Sequence, residues 1–355
     1  MLLLTGGAGL IGSAVLWRLN EMGRDDVVVV DHLATGEKWQ NLRALRFQDY
    51  FEKDTFRTLM LDGKFDHKFD EIIHLGACSD TTEADASYLV ENNFAYGKMI
   101  AEYAVRNGSR VVYASSAATY GDGENGFKDD EETIFQLRPL NKYGYSKQLF
   151  DEWLRQHGWL CHRLADGASF VGVKYSNVYG PNEYHKAGMR SMVLRSFEQI
   201  TAESKVRLFK SYRPEYGDGE QVRDFLYVKD AADMTLFFLE KGRDACGLYN
   251  LGFGATRSWN DLAKAAFAAL GKPCQIEYIE MPENLKGRYQ YYTCLDIGKL
   301  RQAGFTRPLT TLEDARNAIR KYDLAGRLPG RVVDFLMNAG PEYETPKEFP
   351  ENTYF

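Results

Sequence analysis

Short runs of apolar residues, separated by longer stretches of helical spacing, fill the first two-thirds of the chain. MLLLT opens it, a helical pattern runs from about Ile11 to Met22, and VVVVD and a polar loop follow. EIIHLGA comes next, then a helix through Asn92–Val105, then RVVYASS and a helix beginning near Tyr143. FVGVKYSNVYG reads as one more strand, RDFLYVKDAADMTLFFLE as a strand and helix, and GLYNLG as another strand. Runs apolar at nearly every position, not at alternate ones, belong to strands covered on both faces. The pattern predicts an α/β fold built on a doubly wound parallel sheet.

Beyond Pro181 the pattern becomes irregular. A helix from about Met189 to Glu203, the short run VRLF and the Gly-rich PEYGDGEQ lead into RDFLYV. This predicts a smaller mixed α/β lobe interleaved with the sheet domain. The sheet domain takes 1–177, 226–251 and about 290–306, and the lobe takes 178–225, 252–289 and about 307–325. Residues 326–355 form a tail rich in Pro, Glu and aromatics, without period. No internal repeat is visible.

Composition narrows the function classes. With 355 residues, 44% of them hydrophobic, the chain is long enough to bury a sizeable core. A net charge of −6 disfavours a nucleic-acid partner. No apolar run approaches the roughly 20 residues of a membrane span, and MLLLTGGAG lacks the basic start of a signal peptide. Cys78, Cys161, Cys246, Cys274 and Cys294 are odd in number and form no C-x-x-C pair, which points to a reducing, cytoplasmic setting. Neither the cysteines nor the six histidines have ligand spacing, so catalysis without a metal is expected.

Two motifs carry chemistry. In TGGAGLIG, Gly7-x-Gly9-x-x-Gly12 opens a helix directly after a strand, where backbone N–H groups can approach a pyrophosphate. Alone it is an ordinary glycine turn; Asp31, ending the next strand, stands where a ribose-binding carboxylate belongs. Asp31 favours NAD, yet Lys38 and Lys53 follow and could neutralise a 2′-phosphate, although each alone reads as a solvated charge. In YGYSK, Tyr143 and Lys147 share a helix face at i and i+4, and a nearby ammonium brings a phenol toward working pH. A lone Y-x-x-x-K arises often by chance. Here it follows YASSAATYG, which puts Ser116 at the carboxyl end of a strand, in reach of the hydroxyl that Tyr143 would deprotonate.

Taken in order, TGGAGLIG, HLGACS, YASSAATYG, NKYGYSK and NVYGP resemble the extended short-chain dehydrogenase/reductase family over roughly residues 1–320. That resemblance implies a Rossmann domain holding NADP, with NAD the alternative. It also implies a nucleotide-sugar substrate and a Ser116–Tyr143–Lys147 catalytic set. Positions matching cofactor contacts are Gly6, Gly9, Leu10, Ile11, Gly12, Asp31, His32, Lys38, Lys53, Leu75, Gly76, Ala77, Asn92 and Val178, besides Tyr143, Lys147 and Lys186. Dehydratases of the family place an acidic pair where Ala117 and Ala118 stand, and two methyl groups move no protons.

GACSDTTE, ENN, NVYGPNEYHKAGM, RDFLYV and LKGRYQ are similar to the heptose 6-epimerase branch. This implies inversion at carbon 6 of ADP-D-glycero-D-manno-heptose, serving lipopolysaccharide core heptose supply, through a transient ketone. Hydride returning to the opposite face calls for a second proton-transfer group, and the resemblance assigns it to Lys186. It matches Ser79, Ser116, Asn177, Gly188, Arg195, Phe209, Arg223 and Tyr289 to the ADP-sugar, and implies a homo-oligomer, a pentamer among the forms suggested. Gly188 stands where the branch usually has serine, Arg195 where it often has histidine, and SYRPEYGDGEQV is longer than usual. A UDP-hexose 4-epimerase and a catalytically silent nucleotide-binding protein are the alternatives.

Overall fold

The computed structural model describes residues 1–314 apart from Asp66, Arg243, Asp244, Gly287 and Arg288; the tail expected over 326–355 lies outside the described residues. Six strands come first: β1 (Leu2–Thr5), β2 (Val27–Asp31), β3 (Asp49–Glu52), β4 (Glu71–His74), β5 (Arg110–Ser116) and β6 (Ser169–Tyr175). Four short strands leave the sheet, namely β7 (Asn177–Tyr179), β8 (Val206–Phe209), β9 (Val222–Arg223) and β10 (Phe225–Tyr227), before β11 (Gly247–Leu251) rejoins it. The main sheet runs β11-β6-β5-β4-β1-β2-β3, with every neighbouring pair parallel. Its winding reverses between β1 and β4, so a crevice opens beyond their carboxyl ends.

The near-continuous apolar runs are buried on both faces, as the pattern requires. Leu3 pairs with Val28 and Ile72, and these pack with Phe56, Ile100 and Phe150. Those three come from the helices α2 (Lys53–Leu61), α4 (Tyr96–Asn107) and α5 (Lys142–Gln156). Leu2 and Leu4, paired with Val27 and Val29, face the other way onto Leu16 and Leu236. Those belong to α1 (Leu10–Glu21) and α7 (Val228–Glu240).

Four local expectations differ from the structure. FVGVKYSNVYG is two strands, because Ser176 N–H bonds to Leu251 while the next N–H, of Asn177, turns to Asp224. β7 then pairs with β10 instead of continuing in the main sheet. The helix expected at Asn92 starts earlier, as α3 (Ala86–Leu89), and passes through a π-helical turn over Val90–Ala95 into α4, which Gly108 ends at φ 66°. The helix expected from Met189 is α6 (Met192–Glu203), delayed until the Ser191 hydroxyl caps the N–H of Leu194. β3, which the sequence pattern left unassigned, is a half-exposed edge strand with charged ends.

The remaining strands, β12 (Arg257–Ser258) and β13 (Ile276–Ile279), pair with β9 and β8. Between them lies α8 (Trp259–Leu270), capped by Ser258 and Asp261 in a reciprocal box that satisfies two backbone donors.

Candidate active site

The glycine turn lies at the switch between β1 and β4. Gly6 has φ 73°, and a Cβ there would sit 2.7 Å from the N of Gly76. A Cβ on Gly12 would sit 2.0 Å from the Gly6 carbonyl oxygen. These closures draw the start of α1 against the sheet edge. No side chain caps α1 at Gly9 and its first turn carries no acid, so its N–H groups face an open anion site. That cradle fits a dinucleotide pyrophosphate.

Asp31 is almost fully buried and accepts from the N–H groups of Ala8 and His32, each at 2.7 Å. Lys38 Nζ lies 2.5 Å from the same carboxylate. Lys53 donates to Asn92 Oδ1 at 2.8 Å, while His32 is exposed with its Nδ1 3.3 Å from Glu52. Leu75, Gly76 and Ala77, just past β4, are half-buried at the crevice, as is Val178 in β7.

Ser116 ends β5, and Asn141 caps α5 by accepting from Gly144 N–H at 2.7 Å. Gly144 is required there, since a Cβ would come 2.7 Å from the Ala118 carbonyl oxygen. This close approach brings Tyr143 to Ser116, whose hydrogen bond lowers the phenol's affinity for its proton, while burial, the larger effect, raises it. One turn on, Lys147 is buried, and burial pulls its ammonium down to about 8. Lys147 and burial together hold His74 down to about 3, with burial the larger cause.

Lys186 lies in a one-turn helical segment, Tyr184–Met189, and is half-buried. Burial lowers its pKa and Glu183 opposes that. Glu183 is wholly buried and accepts from Ser191 N–H at 2.6 Å and from the Ser191 hydroxyl at 2.7 Å, anchoring the loop from beneath. Asn41 bonds both Ala8, in the glycine turn, and Asn182, and lies 3.3 Å from His185. The loop carrying Lys186 is thereby tied to the dinucleotide turn.

A second cluster gathers Arg223, Phe209 and Tyr289. The Arg223 guanidinium is almost fully buried, 5.4 Å from the Trp259 ring and 5.2 Å from that of Tyr289. The Tyr289 hydroxyl accepts from Trp259 Nε1 at 2.8 Å, and Phe209 meets its ring edge-on. Burial lowers the pKa of Arg223. The guanidinium donates to the Val222 carbonyl oxygen at 2.8 Å, and among the described residues no carboxylate pairs with it; neighbouring Asp224 turns instead to the N–H groups of Phe253, Gly254 and Leu295. Ser79, Asn177, Gly188 and Arg195 are exposed and outside this cluster.

Sequence reading missed Asp151, Lys174 and Asn93. Asn93 bridges the Cys78 backbone to the Ser146 hydroxyl beside Tyr143. Asp151 and Lys174 form a buried pair under the site at 2.7 Å. A lone lysine inside the apolar strand FVGVKY and an acid four residues after Lys147 were the available signals.

A parallel sheet wound both ways from a glycine turn, with Ser, Tyr and Lys gathered at its carboxyl edge, defines a short-chain dehydrogenase/reductase type of protein. The chain belongs to the NAD dependent epimerase/dehydratase family, whose model matches residues 2–252. It is 49% identical over 323 residues to an ADP-L-glycero-D-manno-heptose-6-epimerase of Nitratidesulfovibrio vulgaris, covering 91% of this chain and 98% of that one. A protein of the same name from Fusobacterium nucleatum is 44% identical over 331 residues, with 91% and 98% covered. The solved Helicobacter pylori ADP-L-glycero-D-manno-heptose-6-epimerase superposes with a TM-score of 0.71 at 28% identity, covering 91% of this chain and 94% of that one. A Thermus thermophilus UDP-glucose 4-epimerase solved with NAD gives a TM-score of 0.70 at 25% identity, covering 91% and 99%. Among the described residues, no helix is long and apolar enough to cross a membrane.

Proposed function

We propose that this protein inverts carbon 6 of ADP-D-glycero-D-manno-heptose, using NADP. The observation that carries the reading is the 49% identity to a 6-epimerase of that name across 98% of the relative's length. A bound nicotinamide would accept hydride from carbon 6 and return it. Tyr143 takes the proton of the carbon-6 hydroxyl, Ser116 hydrogen-bonds the same oxygen, and the Lys147 ammonium holds the ribose and favours phenolate. Lys186, half-buried and depressed in pKa, serves the opposite face of the ketone as the second proton-transfer group.

Arg223 suits the diphosphate, because a buried guanidinium that has no carboxylate partner among the described residues needs an anion. Phe209 and Tyr289 floor the sugar-nucleotide side, with Ser79, Asn177, Gly188 and Arg195 around its open rim. Lys38 and Lys53 favour NADP: Lys38 already offsets Asp31, the charge that would repel a 2′-phosphate. The division into a cofactor domain and a substrate lobe, with the boundaries given above, is part of this proposal, as is assembly into a homo-oligomer in the cytoplasm.

The test is incubation with ADP-D-glycero-D-manno-heptose and detection of the L-glycero epimer. Tyr143→Phe and Lys186→Met each fold, bind cofactor and lose about 10²–10⁴-fold in turnover. Turnover of UDP-glucose and not of the ADP-heptose would select a 4-epimerase instead. Near-native turnover by Lys186→Met would remove the two-base assignment.

A further inference from the structure

Beneath the Ser116–Tyr143–Lys147 set lies a closed polar network without solvent access. Asp151 is fully buried and accepts three hydrogen bonds: from Tyr113 Oη at 2.9 Å, Ser115 Oγ at 2.6 Å and Lys174 Nζ at 2.7 Å. Lys174, also fully buried, donates besides to Thr119 Oγ1 at 2.7 Å and sits 5.2 Å from the Tyr120 ring. Three elements meet here. Asp151 stands one turn beyond Lys147 on α5, Tyr113 and Ser115 come from β5, and Lys174 comes from β6.

Were stability the sole purpose, apolar residues of similar volume would serve at least as well, since a buried pair rarely repays its desolvation. The placement suggests another use. We propose that Asp151, one helical turn from Lys147 on α5, is a positioning residue whose buried charge keeps Lys147 in its ammonium form, with Lys174 and the β5 hydroxyls holding Asp151 in place. The idea rests on the role given to Lys147 in the proposed function.

The groups around Lys147 can be named element by element. On α5 these are Tyr143 before it and Asp151 after it; β4 supplies His74, kept neutral by its burial; the loop after β4 supplies the Cys78 thiol; and Lys174 lies on β6, beyond Asp151. Burial drives Lys147 toward the neutral amine, and Asp151 is the chief group opposing it. With Asp151 neutralised, Lys147 loses its proton at lower pH, and activity that needs the ammonium falls away sooner on the alkaline side.

The experiment compares Asp151→Asn, Asp151→Glu and the double variant Asp151→Asn/Lys174→Met, each as the full chain labelled with ¹³C,¹⁵N-lysine. Lys147 is assigned by its loss in Lys147→Arg. Asp151→Asn strands the Lys174 charge and is expected to melt early; the double variant removes that charge and recovers the melting temperature. In the double variant the Lys147 titration midpoint still falls by about one pH unit or more, while Asp151→Glu stays near native. A double variant that is stable and titrates like the native chain would overturn the proposal and leave Asp151 structural. The titration needs no sugar substrate, so a lowered midpoint in the double variant, alongside a native chain that fails to epimerise the ADP-heptose, would refute the proposed function alone.

Discussion

Set side by side, the cofactor edge and the Arg223 cluster handle charge in opposite ways. At the cofactor edge Lys38 meets Asp31 and Lys174 meets Asp151, while Lys53 rests on the Asn92 amide. In the Arg223 cluster a buried guanidinium lies between Trp259 and Tyr289 with no carboxylate among the described residues. In the first region these three lysines already have partners within the protein. The second holds a cation with no carboxylate partner among the described residues, and in the proposed function a ligand's negative charge completes it. On that reading sugar-nucleotide affinity is concentrated in one cation.

That contrast breaks most visibly at Arg223. Arg223→Met keeps the volume between the rings and removes the charge. KM for the ADP-sugar is expected to rise about 10- to 150-fold, the equivalent of roughly 1.5–3 kcal/mol for a hydrogen bond to a charged group, with little change in kcat. Arg223→Lys is expected to recover only part of this, because an ammonium neither stacks on the rings nor forks onto a phosphate. Steady-state kinetics separate the two, and a fall in kcat at unchanged KM would contradict the assignment.

Lys38 sharpens the other side. Lys38→Ala frees Asp31 and is expected to move the NADPH-to-NADH affinity ratio about tenfold or more toward NADH, by the loss of one charge-assisted bond. Lys53→Ala should move it less, since Lys53 is already engaged with Asn92. Calorimetry with each cofactor reads both, and an unchanged ratio in both variants would remove the basis for preferring NADP.

A smaller effect concerns pH and stability. Burial, chiefly, with the Lys147 charge, keeps His74 neutral by holding it near 3 against an ordinary 6.5. A base depressed by folding contributes stability that is fully present above its unfolded value and is lost as pH falls toward its folded value. Unfolding free energy is therefore expected to drop by about 1.4 kcal/mol per pH unit from this residue between those limits. His74→Gln, which can still bond Thr5 Oγ1, should flatten that slope in denaturant titrations from about pH 7 to about pH 5.

The comparison also explains what the sequence made legible. Apolar runs and the glycine turn are local signals, so the doubly wound sheet, the TGGAGLIG cradle and the Tyr143–Lys147 pair could be read directly. The partner switch at Ser176 depends on Leu251 and Asp224, far along the chain, and no local pattern encodes it. Arg223 and Tyr289 could be matched by resemblance, yet the ring partner Trp259 becomes visible only when β9 meets β12. Lys174 lies inside an apolar strand and its partner Asp151 faces it from a helix, a pairing that no local pattern encodes.

The π-helical turn over Val90–Ala95 has a cost and a use. One more residue is fitted into that turn than a regular helix would hold, and the turn presents Asn92 to Lys53 and Asn93 to Cys78 and Ser146. Deleting one residue would let the turn close as a regular helix with α3 and α4 still in phase, since the extra residue adds length to the turn and not rotation to its flanks. Tyr96 and Ile100 would keep their places under the sheet, while the positions that present Asn92 and Asn93 would be lost. A one-residue deletion here is therefore expected to spare the core and damage the crevice, whereas the same deletion in the regular part of α4 would damage the core.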